Sequence, residues 1–281
     1  MSATILYGKP AADALLDSLR TEVEILNPKL VVVQIGNDPA SSSYIKQKIK
    51  SCDAIGMRHE HRHMDNGTSL DELLDMIKEL NEDADVSGFI VQLPLPPHLQ
   101  PHVPIIIRAI DPKKDVDGFG AYNLGKMFLS PEFEHLPPAT PAGIIELLKF
   151  YKIEIQGKHA VVVGHSNTVG KPLSVMLLNR NATVTTCHIY TKDLAAQTRQ
   201  ADLLFSATGV AGLIKKDMVK KGAVVIDIGI SKTKDGLTGD VDFEAVKDIA
   251  SAITPVPGGV GPMTVASLMR NCVVAKKRQS I

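Results

Sequence analysis

The chain has 281 residues, of which 44% are hydrophobic and 22% charged, and its 31 basic side chains balance 31 acidic ones. A single hydrophobic core rarely grows beyond ~250 residues, so we expect two domains, and the composition is typical of a globular rather than a disordered protein. The net charge of zero and the lack of a basic run other than Lys276-Lys277-Arg278 argue against nucleic-acid binding and against an anionic membrane as partner.

The cysteines and the apolar segments limit the compartment. Cys52, Cys187 and Cys272 are widely spaced and form no Cys-x-x-Cys pair, so neither a disulfide framework nor a zinc site is indicated, and the reducing cytoplasm fits. No segment reaches the ~20 apolar residues of a membrane span, and the first seven residues lack the pattern of an export signal. We expect a protein that is neither exported nor membrane-spanning.

In the first half of the chain, helical and strand patterns alternate. A helix comes first, and Ser69 with Glu72 forms a capping box that opens a later one. The predicted elements are helices over 11–26, from Ser41 or Ser42 to Ile55, and from Ser69, with strands over 30–35, 57–63 and 88–92. This alternation predicts βαβ crossovers and a parallel sheet that is covered on both faces.

A proline-rich connection over 136–141 predicts a domain boundary near Ala139, followed by a helix through Tyr151. Strands and helices then alternate again. The predicted strands are 158–164, 183–187, 203–206 and 223–228, and a last helix follows Gly261-Pro262 to about Lys277. This pattern is typical of a doubly wound, Rossmann-type nucleotide-binding domain. The predicted fold class is therefore α/β with two domains.

A glycine turn from Gly164 to Gly170 joins a predicted strand to a predicted helix. In this context, backbone N–H groups and the helix dipole face a pyrophosphate, and a glycine permits its close approach. The spacing Gly-x-Ser-x-x-x-Gly differs from the usual Gly-x-Gly-x-x-Gly, so an ordinary tight turn stays an open alternative.

The cofactor preference depends on the residues beyond this turn. An NAD site usually has an acidic residue ~20 positions further on, which binds the ribose 2′-hydroxyl. No Asp or Glu occurs between His165 and Lys192. The same stretch contains several potential cations, namely His165, Lys171, His188 and Lys192. We therefore expect a 2′-phosphate and NADP, unless this strand end is merely solvated.

Tyr44 and Lys48 lie one helical turn apart on the same face of a predicted helix, so the phenol can contact the amine. A lysine held beside aromatic surface and away from water has a lowered pKa and can act as a general base. The alternative is a surface lysine in a basic helix that also contains Lys46 and Lys50.

Polar residues also follow the strand that ends near residue 92. Gln92 lies at the carboxyl edge of the predicted sheet, where open α/β sheets bind ligands, and its amide can both donate and accept. Asp115 and Asp117 follow a turn and either belong to a solvated loop or bind a polar ligand ring. Three histidines alternate along the strand over 57–63, but without a further ligand nearby we interpret them as a polar sheet edge and expect no metal.

Six ordered segments can be compared with known families, namely Ser43-Tyr44 through Lys48 and Lys50, 91–96, 114–118, Thr140-Pro141 with Gly143, 239–242 and 254–264. Together they resemble the bifunctional methylenetetrahydrofolate dehydrogenase/methenyltetrahydrofolate cyclohydrolase family, often called FolD, from about Leu6 to Lys277. The resemblance implies oxidation of 5,10-methylenetetrahydrofolate with NADP and hydrolysis of the methenyl product to 10-formyltetrahydrofolate, in one-carbon metabolism and purine biosynthesis. It also implies a cytoplasmic homodimer.

The same resemblance implies a discontinuous folate-binding catalytic domain, 1–139 plus 264–281, and an NAD(P)-binding Rossmann domain, 140–263, with a cleft between them. Lys48 is then the catalytic residue of hydrolysis, Tyr44 stacks near the folate, Gln92 tunes the lysine, and Asp117 anchors the pterin. Further substrate contacts are implied for Leu93, Pro94, Pro257, Gly258 and Gly259. Cofactor contacts are implied for Gly164, His165, Ser166, Thr168, Val169, Gly170, Ala207, Thr208 and Ile230.

Two positions depart from the family pattern. His165 replaces an arginine that contacts the 2′-phosphate in many relatives, and Ala139 replaces the cysteine of a common Pro-Cys-Thr-Pro segment. Two rival functions remain, a monofunctional dehydrogenase of the same family and a non-catalytic folate or nucleotide sensor. The retained Lys48 and Gln92 argue against the first, and the presence of both the chemical site and the cofactor turn argues against the second.

Overall fold

A computed structural model describes residues 3–234 and 236–279 of the chain. The elements in chain order are β1 (Thr4–Ile5), α1 (Gly8–Leu26), β2 (Lys29–Ile35), α2 (Pro39–Ile55), β3 (Arg58–Met64), α3 (Leu70–Glu82), β4 (Gly88–Val91), α4 (Val103–Ala109), α5 (Ala121–Met127), α6 (Ala139–Phe150), β5 (His159–Val163), α7 (Gly170–Leu178), β6 (Thr183–Cys187), α8 (Leu194–Thr198), β7 (Leu203–Ser206), β8 (Val224–Asp227), β9 (Ser231–Thr233), β10 (Gly236–Thr238), α9 (Phe243–Val246), β11 (Ala252–Ile253) and α10 (Val260–Gln279).

The described residues form two compact units. The N-terminal unit comprises residues 14–126, 132–139 and 265–279, and the C-terminal unit comprises residues 3–13, 127–131 and 140–264 apart from residue 235. None of the helices in these ranges is long and apolar enough to span a bilayer.

The N-terminal unit is built on a parallel sheet of three strands in the order β3-β2-β4. The central strand β2 is buried along its length from Leu30 to Ile35, so both faces of the sheet are covered, as parallel sheets require. One face packs against the apolar stripe of α3, formed by Leu73, Ile77 and Leu80. The predicted parallel sheet with helical crossovers is confirmed.

The helix starts of this unit follow local side-chain chemistry. Ser69 and Glu72 form the predicted capping box, with the Glu72 N–H donating to Ser69 Oγ at 3.3 Å and the Ser69 N–H donating to Glu72 Oε2 at 2.8 Å. The predicted cap of α2 at Ser41 or Ser42 is wrong. Asp38 caps that helix by accepting the N–H of Ser41 at 2.7 Å, because Pro39 already takes a first-turn position where no N–H is needed.

The C-terminal unit contains a parallel sheet of six strands in the order β1-β11-β8-β7-β5-β6. The chain leaves β5 for β6 on one side and then returns to β7 on the other side, which places a topological switch point at the carboxyl ends of β5 and β7. The predicted doubly wound arrangement is confirmed. Ligands of open α/β sheets bind in the crevice at such a switch point.

Two features of the C-terminal unit were not predicted. The chain opens with β1 rather than with a helix, and β1 has only two residues, too few for a periodic signal. The last helix begins at Val260, before Gly261-Pro262, because a proline in the first turn of a helix lacks only an N–H that has no helical partner.

Candidate active site

Lys48 and Gln92 meet in the N-terminal unit. Lys48 lies on α2 with 8% of its surface exposed, so the alternative of a surface lysine is wrong. Its Nζ donates to Gln92 Oε1 at 2.8 Å. Gln92 follows β4, and its backbone N–H still donates to Val33 O of β2 at 2.9 Å. Its side-chain Nε2 donates to Leu93 O at 2.6 Å, which turns the amide oxygen towards the amine.

The charges around this amine depend on burial and on Asp117. Burial lowers the pKa of Lys48, and the negative charge of Asp117 partly opposes that change. Burial likewise raises the pKa of Asp117, while the Lys48 charge lowers it and Asp115 raises it further. The two side chains therefore form a coupled pair in which each stabilises the charge of the other. An amine with a lowered pKa can accept a proton in a reaction near neutral pH.

Tyr44 lies one turn before Lys48 on α2 with 36% of its surface exposed. Burial of its ring raises the pKa of the phenol, which keeps the hydroxyl protonated. Among the described residues, the side-chain hydrogen bond of the Lys48 amine goes to Gln92, not to Tyr44. The part of the ring that is exposed is available to a planar ligand.

The two acids of the Asp115-Val116-Asp117 segment have different surroundings. Asp115 is 1% exposed, and its carboxylate accepts the N–H groups of Gly118 at 3.0 Å, Phe119 at 3.3 Å and Gly120 at 2.8 Å. Asn123 Nδ2 donates to it as well, at 3.0 Å. Asp115 therefore shapes the loop, whereas Asp117 is partly exposed on that loop.

Asn271 is a supporting residue that the sequence analysis missed. It lies on α10, is fully buried, and its Nδ2 donates to Val116 O at 2.9 Å and to Pro137 O at 2.8 Å. It thereby ties the Asp117 loop to α10. The sequence did contain a signal for this role, namely a lone asparagine among apolar residues of a helix, since a buried asparagine is usually hydrogen-bonded.

The cavity beneath the Asp117 loop is small. Its volume is about 20 Å³, enough for about one water molecule. It is lined by apolar side chains such as Ile90, Leu95 and Ile106, together with Asp115 and Asp117. We interpret it as a packing gap rather than a substrate pocket.

The three histidines of β3 do not converge on a metal. His59 contacts Asp53 Oδ1 at 2.8 Å, His61 contacts Gln34 Oε1 at 3.0 Å and His63 contacts Gly36 O at 3.0 Å. They occupy the edge strand of the three-stranded sheet, as the sequence predicts. Within the described ranges, no group of three or more His, Cys, Asp or Glu side chains is arranged to hold a metal ion.

The glycine turn of the C-terminal unit lies at the switch point. Gly164 has φ +114°, and a Cβ there would lie 2.3 Å from Ala207 O. A Cβ at Gly170 would lie 2.0 Å from Gly164 O, so both glycines are needed for backbone contact between β5, the β7 loop and α7. Ser166 Oγ accepts the N–H groups of Val169 at 3.1 Å and Gly170 at 3.3 Å, which gives two N–H groups at the start of α7 a hydrogen-bond partner.

The remaining predicted cofactor residues surround this turn. His165 and His188 are exposed, with ring centroids 5.0 Å apart, at the ends of β5 and β6. His188 Nδ1 accepts the Tyr190 N–H at 3.2 Å, which leaves Nε2–H as the outward donor of the neutral ring. Thr168, Ala207 and Thr208 are partly buried, and Ile230 is 45% exposed after β8. The structure thus gathers these residues at the carboxyl edge of one sheet.

Pro257, Gly258 and Gly259 also lie in the C-terminal unit, after β11. Gly258 has φ +106°, and its carbonyl accepts the N–H of Gly8 at 2.8 Å. A Cβ at Gly8 would lie 1.8 Å from Gly259 O, so the start of α1 and this loop are in backbone contact. Spacing along the chain offered no signal that Gly8 makes this contact.

Comparison with known proteins finds similarity over nearly the whole chain. The family model "Tetrahydrofolate dehydrogenase/cyclohydrolase, catalytic domain" matches residues 6–117, and the NAD(P)-binding domain model of the same family matches residues 138–280. A curated relative, the bifunctional protein FolD of Methanosarcina barkeri, is 50% identical over 273 residues, which cover 95% of this chain and 94% of the relative.

Solved structures agree with this similarity. The bifunctional FolD methylenetetrahydrofolate dehydrogenase/cyclohydrolase of Campylobacter jejuni has a TM-score of 0.92 and 43% identity, with 99% of each chain covered. The FolD of Trypanosoma brucei, solved in complex with NADP cofactor and inhibitor, has a TM-score of 0.93 and 33% identity, with 100% of this chain and 99% of that chain covered.

Proposed function

Since the chain belongs to the tetrahydrofolate dehydrogenase/cyclohydrolase family, we propose that it oxidises 5,10-methylenetetrahydrofolate with NADP and hydrolyses the methenyl product to 10-formyltetrahydrofolate. The hydrogen bond of 2.8 Å between the buried amine of Lys48 and the amide oxygen of Gln92 is the observation that carries the hydrolytic step. A desolvated amine held in this way suits proton transfer.

NADP, when bound, supplies the acceptor for the hydride that leaves the methylene bridge. The residues of the switch point fit a dinucleotide, since Gly164 and Gly170 allow a tight turn into α7, whose N-terminal N–H groups can face a pyrophosphate. The paired rings of His165 and His188 fit a 2′-phosphate, and no Asp or Glu lies between His165 and Lys192. The protein's part in this step is to align the reactants, because a cation delocalised over two folate nitrogens needs no proton transfer to form.

In the hydrolytic step, a water molecule adds to the carbon of the methenyl bridge and loses a proton. The bond from that carbon to N5 of the folate then breaks, the added oxygen becomes the formyl oxygen by losing its second proton, and N5 takes up a proton as it leaves. Lys48 is proposed to accept the proton that the water loses first, because its lowered pKa makes the neutral amine more accessible than that of an exposed lysine. Gln92 keeps the amine in place through its oxygen. Asp117 stabilises the ammonium that results and is proposed to anchor the pterin.

The other assignments form part of the same proposal. Tyr44 stacks on the folate, and Leu93, Pro94 and the loop over 257–259 contact it. The catalytic domain comprises 1–139 plus 264–281, and the cofactor domain comprises 140–263. We further propose a cytoplasmic homodimer in one-carbon metabolism and purine biosynthesis. The three free, buried cysteines support a reducing compartment, and the family resemblance is the support for the dimer.

The test follows the absorbance of the methenyl product after methylenetetrahydrofolate is mixed with the purified chain and either NADP or NAD. We expect the product to form faster with NADP and then to decay by hydrolysis. A product that forms and does not decay faster than in buffer would indicate a monofunctional dehydrogenase. Binding of folate and NADP without turnover would indicate a sensor.

A further inference from the structure

Two buried acids lie behind the switch point and have no part in the proposed reaction. Asp227 is the last residue of β8 and is 3% exposed, and Asp240 follows β10 and is fully buried. Asp227 Oδ1 accepts the Asp240 N–H at 3.0 Å, and Asp227 Oδ2 accepts the Val241 N–H at 2.9 Å. The first acid therefore holds the backbone that carries the second.

Asp240 in turn holds the end of β7. Its Oδ2 accepts the hydroxyl of Ser206 at 2.9 Å and the backbone N–H of Thr208 at 2.6 Å. Ala207, between those two residues, is the one whose carbonyl lies against Gly164. One carboxylate oxygen thus sets the position of the backbone segment that faces the glycine turn.

Two glycines make room for the acids. A Cβ at Gly229 would lie 1.8 Å from Asp240 Oδ1, and a Cβ at Gly239 would lie 1.9 Å from Asp227 Oδ2. Neither glycine has a positive φ among the described residues, so backbone conformation does not explain why glycine occupies these positions. The reason is steric, because a side chain at either position would overlap a carboxylate.

Charge makes this arrangement costly. No Lys, Arg or His in the described ranges forms an ion pair or hydrogen bond with Asp227 or Asp240, and burial raises the pKa of Asp227 to about 7. Among the residues that the structure describes, Asp240 Oδ1 has no hydrogen-bond partner. Buried acids without a cation destabilise a fold. Their presence here therefore indicates a requirement other than stability.

We propose that Asp240 is a positioning residue of the dinucleotide site, which it serves by fixing the 206–208 segment, and that Asp227 supports it. The inference rests on the proposed function, because it takes the switch point as the NADP site. Without the carboxylate, the Thr208 N–H loses its partner and the segment that faces Gly164 is free to shift. The cofactor should then bind more weakly, whereas hydrolysis of added methenyltetrahydrofolate, which needs no cofactor chemistry, should continue.

The experiment compares Asp240→Ala and Asp240→Asn with wild type and with Asp242→Asn. Asp242 is a matched control because it belongs to the same segment but caps α9, where it accepts the Ala245 N–H. Calorimetry should show the Kd for NADP raised about 10-fold in Asp240→Ala. The rise should be smaller in Asp240→Asn, since the amide oxygen can still accept the Thr208 N–H but carries no charge. Hydrolysis should stay within about twofold, and hydrogen exchange should be faster over 206–210. Asp242→Asn should bind NADP like wild type.

If Asp240→Ala does not fold, Asp240→Asn and Ser206→Ala decide the question by the same measurements. An unchanged Kd in the folded variants overturns the inference alone. An equal loss of hydrolysis and NADP affinity also overturns it, because it would indicate a general loss of structure. If wild type itself binds no NADP, the proposed function fails, and this inference with it.

Discussion

Replacing Lys48 by methionine removes the amine while keeping a side chain of similar length in its buried position. Proton transfer by a positioned group contributes about 10²- to 10⁴-fold to a rate, so methenyl hydrolysis should fall by that factor. Oxidation should fall less than about 10-fold, because hydride transfer needs alignment rather than a base. The variant leaves Gln92 Oε1 without its donor at 2.8 Å, a loss of about 1–3 kcal/mol that removal of a buried charge partly offsets.

Both activities are measured on one preparation, with the melting temperature as a check on folding. Lys46→Met is the matched control, since Lys46 is exposed on the same helix, and both of its activities should stay near wild type. In wild type, hydrolysis should rise with pH and level off below the ordinary lysine pKa of 10.5, because burial lowers that of Lys48 and the neutral amine is the active form. Equal loss of both activities in a folded Lys48→Met protein would refute the role of the amine.

Further predictions concern single residues. Asp117→Asn should impair both reactions by weakening folate binding, and unchanged folate affinity by calorimetry would count against a pterin anchor. His165→Arg should strengthen the preference of kcat/KM for NADP, because a guanidinium is always charged and can bind a phosphate through two N–H groups; a preference for NAD in wild type at pH 6.5 and 8 would contradict it. Gly8→Ala should raise KM for folate in both reactions, since its Cβ would lie 1.8 Å from a backbone oxygen, whereas Gly125→Ala, with open space, should not. The pKa of Asp227 is raised from 3.8 to about 7, so its protonated form favours folding and that contribution is lost as pH rises from about 4 to 7. The free energy of unfolding of wild type relative to Asp227→Asn should fall over this range by at most about 4 kcal/mol, and a constant difference in urea titrations would refute the shift.

Sequence patterns predicted an element well where the element depends on residues that are neighbours in the chain. The capping box at Ser69 and the strands over 183–187 and 203–206 have the predicted bounds, because caps and buried strands depend on neighbouring residues. The two-residue strand β1 was missed, since its only support is pairing with β11, far along the chain. A strand of that length has no pattern of its own.

The candidate site shows the same division. Helical spacing placed Tyr44 beside Lys48 and suggested a phenol as the partner of the amine, but the hydrogen bond of that amine goes to Gln92, which is 44 positions away. The pairing of β4 with β2 and the packing of α2 together bring Gln92 within reach of the amine. Residue types alone left Asp115 and Asp117 equivalent, and only the family resemblance singled out Asp117. The backbone N–H groups around Asp115 distinguish a loop-shaping acid from one that is left partly exposed.

Residue types and short spacings were enough to establish the α/β class, the order of most elements and the glycine turn at Gly164. They also showed that no Asp or Glu lies between His165 and Lys192. Packing decided the strand order, the partner of Lys48 and the contacts of Gly8, Asn271 and Asp240. Those residues act through backbone groups that are distant in the chain. Hydrogen bonds and steric contacts of that kind depend on how the elements pack, which spacing along the sequence does not encode.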